Sequence, residues 1–118
     1  MNSQQRQKLN NLLDLVGTIG KVTKHEDMSL HQLKVLLLVA VRDAYESPAD
    51  SREIAEALGL STSGVSRAVA SLGEHGRGKS SGLGLLETHI DPEDRRRKFV
   101  QLSRKGVKAL TEIVAAAK

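Results

Sequence analysis

Leu9, Leu12, Leu13, Val16 and Ile19 recur at steps of three and four, which lays one apolar stripe along a helix beginning near Ser3. Gly17 and Gly20 loosen the end of that helix, and residues 20–27 read as a connection. Ser29 and Gln32 have the capping-box spacing, with Met28 and Leu33 placed as a hydrophobic staple, so a second helix opens there. Along it Leu33, Leu36, Leu37, Ala40 and Ala44 share one side while Val35, Leu38, Val39 and Val41 cover most of the rest. That is the pattern of a helix buried nearly all round, ending before Ser47-Pro48.

From Asp50 or Ser51 a short helix carries Ile54, Ala55 and Leu58 on one face, and Gly59 supplies the left-handed residue of a tight turn. Ser61 caps the next helix, which turns Val65, Ala68, Val69 and Leu72 inward and Thr62, Ser63, Ser66, Arg67 and Ser71 outward. After Gly76 the Gly/Ser-rich basic stretch 77–84 lacks periodicity and reads as a loop. Residues 85–90 and 98–102 are strand candidates, joined by Asp91-Pro92 and a charged run that suit a hairpin tip. Ser103 caps a last helix with Val107, Leu110 and Val114 as its stripe. The expected fold is a single domain over 1–118, mainly α with a small β-hairpin: a helix-turn-helix at about 51–75, a loop at 76–84, a wing at about 85–102, and terminal helices around them.

A helix-turn-helix must brace its second helix steeply so that a slim polar face enters a major groove about 12 Å wide. Ser61, Thr62, Ser63, Ser66 and Arg67 make such a face, with Arg67 reaching either guanine O6 and N7 or a phosphate. The hairpin tip adds Arg95, Arg96, Arg97 and Lys98 just downstream, where cations meet the concentrated negative potential of a narrow minor groove. Asp94 is expected to pair with one of these arginines and orient it. Arg77 and Lys79 in the loop either add phosphate contacts or belong to a connection without a role.

Composition sharpens this picture. Aromatic residues are 2% of the chain, Tyr45 and Phe99, so the core must come from Leu, Val, Ile and Ala, which favours helices. The absence of Cys excludes a disulfide scaffold, a zinc ribbon and a thiol nucleophile. The net charge of +4 is uneven: residues 1–60 hold seven Lys/Arg against eight Asp/Glu, and residues 61–118 hold eleven against six. A field concentrated in this way points to a polyanion, and to nucleic acid before membrane, because no segment combines a basic face with large apolar anchors. No apolar run approaches the roughly 18 residues of a membrane span, and the expected location is cytoplasmic, on the nucleoid through DNA.

Four stretches resemble the multiple-antibiotic-resistance regulator (MarR) family of bacterial winged-helix transcription factors. They are Ser29-Leu30-His31-Gln32, Leu60-Ser61 through Val65-Ser66-Arg67 to Leu72, Asp91-Pro92-Glu93-Asp94-Arg95-Arg96, and Leu102-Ser103-Arg104-Lys105-Gly106. The resemblance implies a homodimer on a pseudo-palindromic operator, with Ser66 and Arg67 in the major groove and Arg96 in the minor groove. Two departures stand out. The glycine that the family places before the first wing strand has two candidates, Gly76 and Gly84, and only 15 residues follow Ser103 where the family has long C-terminal helices. The stripe of the first helix and the short last helix are then expected to pair across a two-fold axis.

Gly73-Glu74-His75-Gly76-Arg77-Gly78-Lys79-Ser80 also matches the phosphate-loop pattern G-x-x-x-x-G-K-S, yet a helix precedes it and Ser-Gly-Leu-Gly follows, where the motif needs a strand before and a helix after. His25, His31, His75 and His89 are scattered without ligand spacing. The reading is a sequence-specific binder of double-stranded DNA, a dimeric transcriptional regulator and a repressor before an activator. No catalytic, cofactor or metal residue is assigned, and nothing points to an effector. The alternatives are an accessory DNA-binding protein of a phage or plasmid, and a winged helix used as a protein-interaction module.

Overall fold

The computed structural model describes residues 1–73 and 82–117. The first helix, α1 (Ser3–Thr23), opens on a capping box in which Asn2 accepts from the Gln5 N–H at 2.8 Å and Gln5 accepts from the Asn2 N–H at 2.9 Å. It runs through both Gly17 and Gly20 instead of loosening there, so residues 20–23 are helix and not connection. Burial explains the difference: Ile19, Gly20 and Thr23 are packed in, which offsets the helix-weakening cost of glycine. Of the expected stripe only Ile19 is buried, whereas Leu9, Leu12, Leu13 and Val16 are 48 to 70% exposed.

The Ser29/Gln32 capping box opens α2 (Leu30–Ala44) as expected. Val35, Leu36 and Val39 are buried, but Leu37 and Val41 lie open, so α2 is amphipathic and not enclosed all round. Its neighbours α3, α4 and β3 cover one side only. After Pro48 comes β1 (Ala49–Asp50), two residues that pair with β3 and that are too short for any alternation to announce. The expected hairpin thereby supplies two strands of a three-stranded antiparallel sheet ordered β1-β3-β2.

Asp50 caps α3 (Ser51–Leu58), and Gly59 takes the left-handed turn at φ 65°. Ser61 caps α4 (Thr62–Leu72), which buries Val65, Ala68 and Leu72. The wing strands are β2 (Leu86–Ile90) and β3 (Lys98–Leu102), registered with Thr88 opposite Val100. The backbone N–H groups of Gly84 and Leu85 donate to the Gly73 and Leu72 carbonyls at 2.9 and 2.7 Å. The chain on either side of residues 74–81 is therefore tied together. Gly84, at φ 73°, is the glycine that leads into the wing.

The last helix, α5 (Arg104–Ala116), is capped by Ser103, whose hydroxyl accepts from the Gly106 N–H at 3.0 Å and donates to the Gly84 carbonyl. Its buried face is Gly106, Ala109, Leu110 and Ile113, while Val107 and Val114 of the expected stripe are exposed. The face is rotated because α5 packs on α1 and β3 and sets Gly106 directly against the Leu85 carbonyl just before β2.

Candidate nucleic-acid interface

Ile54 and Ala55 of α3 and Val65, Ala68 and Leu72 of α4 share the core, which fixes the two helices against each other across the Gly59 turn. This leaves Ser61, Thr62, Ser63, Ser66 and Arg67 exposed. Ser71, expected outward with them, is half-buried because its hydroxyl accepts from Gln32 Nε2 at 2.8 Å and donates to the Ala68 carbonyl at 3.1 Å. Ser61 is partly engaged as a cap, accepting from the Gly64 N–H at 3.0 Å, with the Ser63 hydroxyl 3.2 Å away.

Three depressions surround α4. Ser66 lines a groove of about 520 Å³ with Thr88, His89 and Lys98 of the wing. Thr62 lines a second, of about 630 Å³, with Arg52, Asp94, Arg96 and Lys98. Arg67 lines a smaller cleft of about 250 Å³ on the opposite flank, with Ser29, His31 and Gln32 at the start of α2. Thr62 and Ser66 thus share grooves with wing cations, whereas Arg67 shares its cleft with α2.

At the wing tip Asp94 organises the turn, accepting from the Arg96 backbone N–H at 3.1 Å and, more loosely, from Arg96 Nε at 3.5 Å. Arg95, Arg96 and Lys98 are exposed, and Arg95 and Lys98 form no ion pair with the described residues. Arg97 is placed differently. Its Nε donates to Asp50 Oδ2 at 2.7 Å and its Nη2 to Glu53 Oε1 at 2.8 Å, with the guanidinium 4.8 Å from the centre of the Phe99 ring. Arg42 of α2 meets the other Glu53 oxygen at 3.3 Å, so three elements converge on one carboxylate. Burial works to raise the Asp50 pKa, but the Glu53 N–H and the Arg97 guanidinium outweigh it and hold the carboxyl below its ordinary value. For Glu53 burial is likewise outweighed, first by Arg97, then by the Asp50 N–H and Arg42. Arg97 is the fastening of the wing to α3.

Sequence reading missed this network because Arg97 lies 47 and 44 residues from its partners; the only local sign was Asp50 three residues before Glu53. It also missed His31, which appears beside Arg67 only once α2 and α4 pack, and the Glu87–His89 pair at 3.0 Å on β2. Arg77 and Lys79 lie outside the described residues, as does the phosphate-loop match beyond Gly73. Among the described residues the sheet is wholly antiparallel, and no group of three or more His, Asp or Glu side chains is arranged to hold a metal ion.

Two helices joined by a glycine turn, the second flanked by an antiparallel ribbon with a cationic tip, define a winged helix. The fold is of the MarR type. It is similar to a MarR-like transcriptional regulator from Thermotoga maritima, at 29% identity and a TM-score of 0.62 over 98% of this chain and 75% of that one. It is also similar to the MepR–DNA complex of S. aureus (17% identity, TM-score 0.70, 98% of this chain and 82% of that one). PcaV of Streptomyces coelicolor, solved with its natural ligand, matches at 23% identity and a TM-score of 0.59, over 97% of this chain and 68% of that one. No protein-family model matches the sequence, and no curated protein does.

Proposed function

We propose that this chain binds double-stranded DNA as a homodimeric transcriptional regulator, acting as a repressor that occupies its operator. The observation that carries the reading is the adjacency of the exposed helix hydroxyls of Thr62 and Ser66 to the wing cations Arg96 and Lys98 across shared grooves. The face of α4 is narrow enough for a major groove, and the wing tip then falls over the neighbouring minor groove, where Arg95 and Arg96 gain from its negative potential. Arg97 holds the wing in place through Asp50 and Glu53 and lines the same groove as Thr62, Arg96 and Lys98. The row Leu9, Leu12, Leu13 and Val16 supplies the surface for a second copy. The likeness to a fold solved with DNA supports the same reading.

The test is selection of bound duplexes from a random pool, followed by titration against salt. A regulator prefers its selected site over random sequence by roughly 10³ or more, with affinity falling steeply as salt rises. A protein-interaction module shows neither. Replacing Arg95 and Arg96 together by Ala removes two phosphate-range cations from an exposed tip, so the slope of log K against log salt should lose up to about 1.8 units while the melting temperature stays put. An unchanged slope would remove the wing from the interface.

A further inference from the structure

We infer that Arg67 grips the DNA backbone from the shoulder of the recognition helix and reads no base, leaving direct readout to the crest, where Ser63 stands. This rests on the DNA-binding reading above and divides its labour. Positions along α4 separate into two flanks. Ser66, Val69, Ala70 and Gly73 line the wing-side groove, whereas Gly64, Arg67, Ala68 and Ser71 line the cleft against α2. Each set steps by three, four and seven, so each is one helix face, and Arg67 is on the flank turned to the body of the protein. Ser63, which lines neither groove, stands on the exposed crest between.

A helix docked in a groove about 8.5 Å deep meets the floor with its crest, and its flanks face the phosphate walls. A residue that shares a cleft with another element of its own protein sits at the level of the wall. Gln32 bridges from the α2 cap to Ser71 at 2.8 Å, which ties the two helices together across the cleft. His31, exposed on the far lip, adds a second polar group facing the same strand. The α2 terminus is itself closed by the Ser29/Gln32 capping box, so the charge for this contact comes from the Arg67 guanidinium.

The experiment measures full-length wild type, Arg67→Ala, Arg67→Lys and His31→Ala on the selected operator and on every single-base-pair variant of it, across a salt series, with melting curves as the check on folding. A backbone grip predicts that Arg67→Ala weakens binding to all duplexes by one common factor of about ten, with the base preferences unchanged. It predicts a fall of about 0.9 in the salt slope and recovery of most of the affinity by Arg67→Lys, since a point charge serves a phosphate. His31→Ala should give a smaller uniform loss. The inference is overturned if Arg67→Ala relaxes preference at one guanine, if Arg67→Lys fails to recover affinity there, or if Arg67→Ala changes nothing. Wild type that binds no duplex preferentially overturns the DNA-binding reading itself, a result distinguishable from the others because it appears before any variant is made.

Discussion

Arg97 joins two carboxylates that both titrate below their ordinary values of 3.8 and 4.5. Carboxyls with depressed folded pKa values contribute stability that is complete above the unfolded values and is lost as pH falls through the folded ones. Wild type should therefore exceed Arg97→Met in stability at pH 7, and the gap should close as the pH drops below about 4.5, followed by denaturant unfolding at each pH. A gap that stays constant down to pH 3 would mean that the ion pairs contribute little and that Arg97 acts through its stacking on Phe99. Because the fastening also orients the wing, Arg97→Met should weaken DNA binding with a salt slope close to wild type, unlike the loss of Arg95 and Arg96.

Among the elements, α5 shows how a short motif serves packing. Within Leu-Ser-Arg-Lys-Gly, Ser103 satisfies the first turn of the helix and the Gly84 carbonyl together, and Gly106 allows the helix to rest on the backbone of Leu85. A Cβ at 106 would run into that carbonyl, which belongs to rigid backbone at the entrance of the wing. Gly106→Ala should cost about 1–3 kcal/mol and lower the melting temperature, against about 1 kcal/mol for Ser103→Ala, which removes a cap and leaves the packing. Thermal unfolding of both variants tests the order; Gly106→Ala as stable as wild type would refute the close approach.

The whole molecule is more extended than a compact chain of its length. Its radius of gyration is 15.2 Å, against about 13.5 Å expected for 118 residues, and its longest dimension is 52 Å. Much of that length is α1, whose 21 residues span roughly 31 Å and whose middle leaves the apolar row from Leu9 to Val16 uncovered. Covering that row with a second copy would also set two recognition helices apart at a fixed distance, as a two-fold operator requires. Leu12→Ser combined with Val16→Ser should leave helix content intact and convert the protein to a monomer by sedimentation, with a loss of operator affinity much larger than its loss on a half-site. A dimer that survives this change would place the contact elsewhere.

The elements were legible because their signals are local. The capping residues Ser29, Asp50, Ser61 and Ser103, the turn glycine Gly59 and the limits of β3 follow from side chains within four residues of the backbone groups they satisfy. The hydroxyl face of α4 was legible for the same reason, since periodicity alone separates Ser66 from Val65. Which apolar residues are covered was decided by the tertiary structure: Leu12 and Ile19 read alike in the sequence, as do Val107 and Leu110, and only packing against α5, α1 and the sheet separates them. The fate of the three wing arginines was also settled there, because Asp50 and Glu53 reach Arg97 through space while Arg95 and Arg96 stay in solvent. Caps and periods are properties of neighbouring residues, whereas burial and long-range ion pairs depend on which surfaces meet.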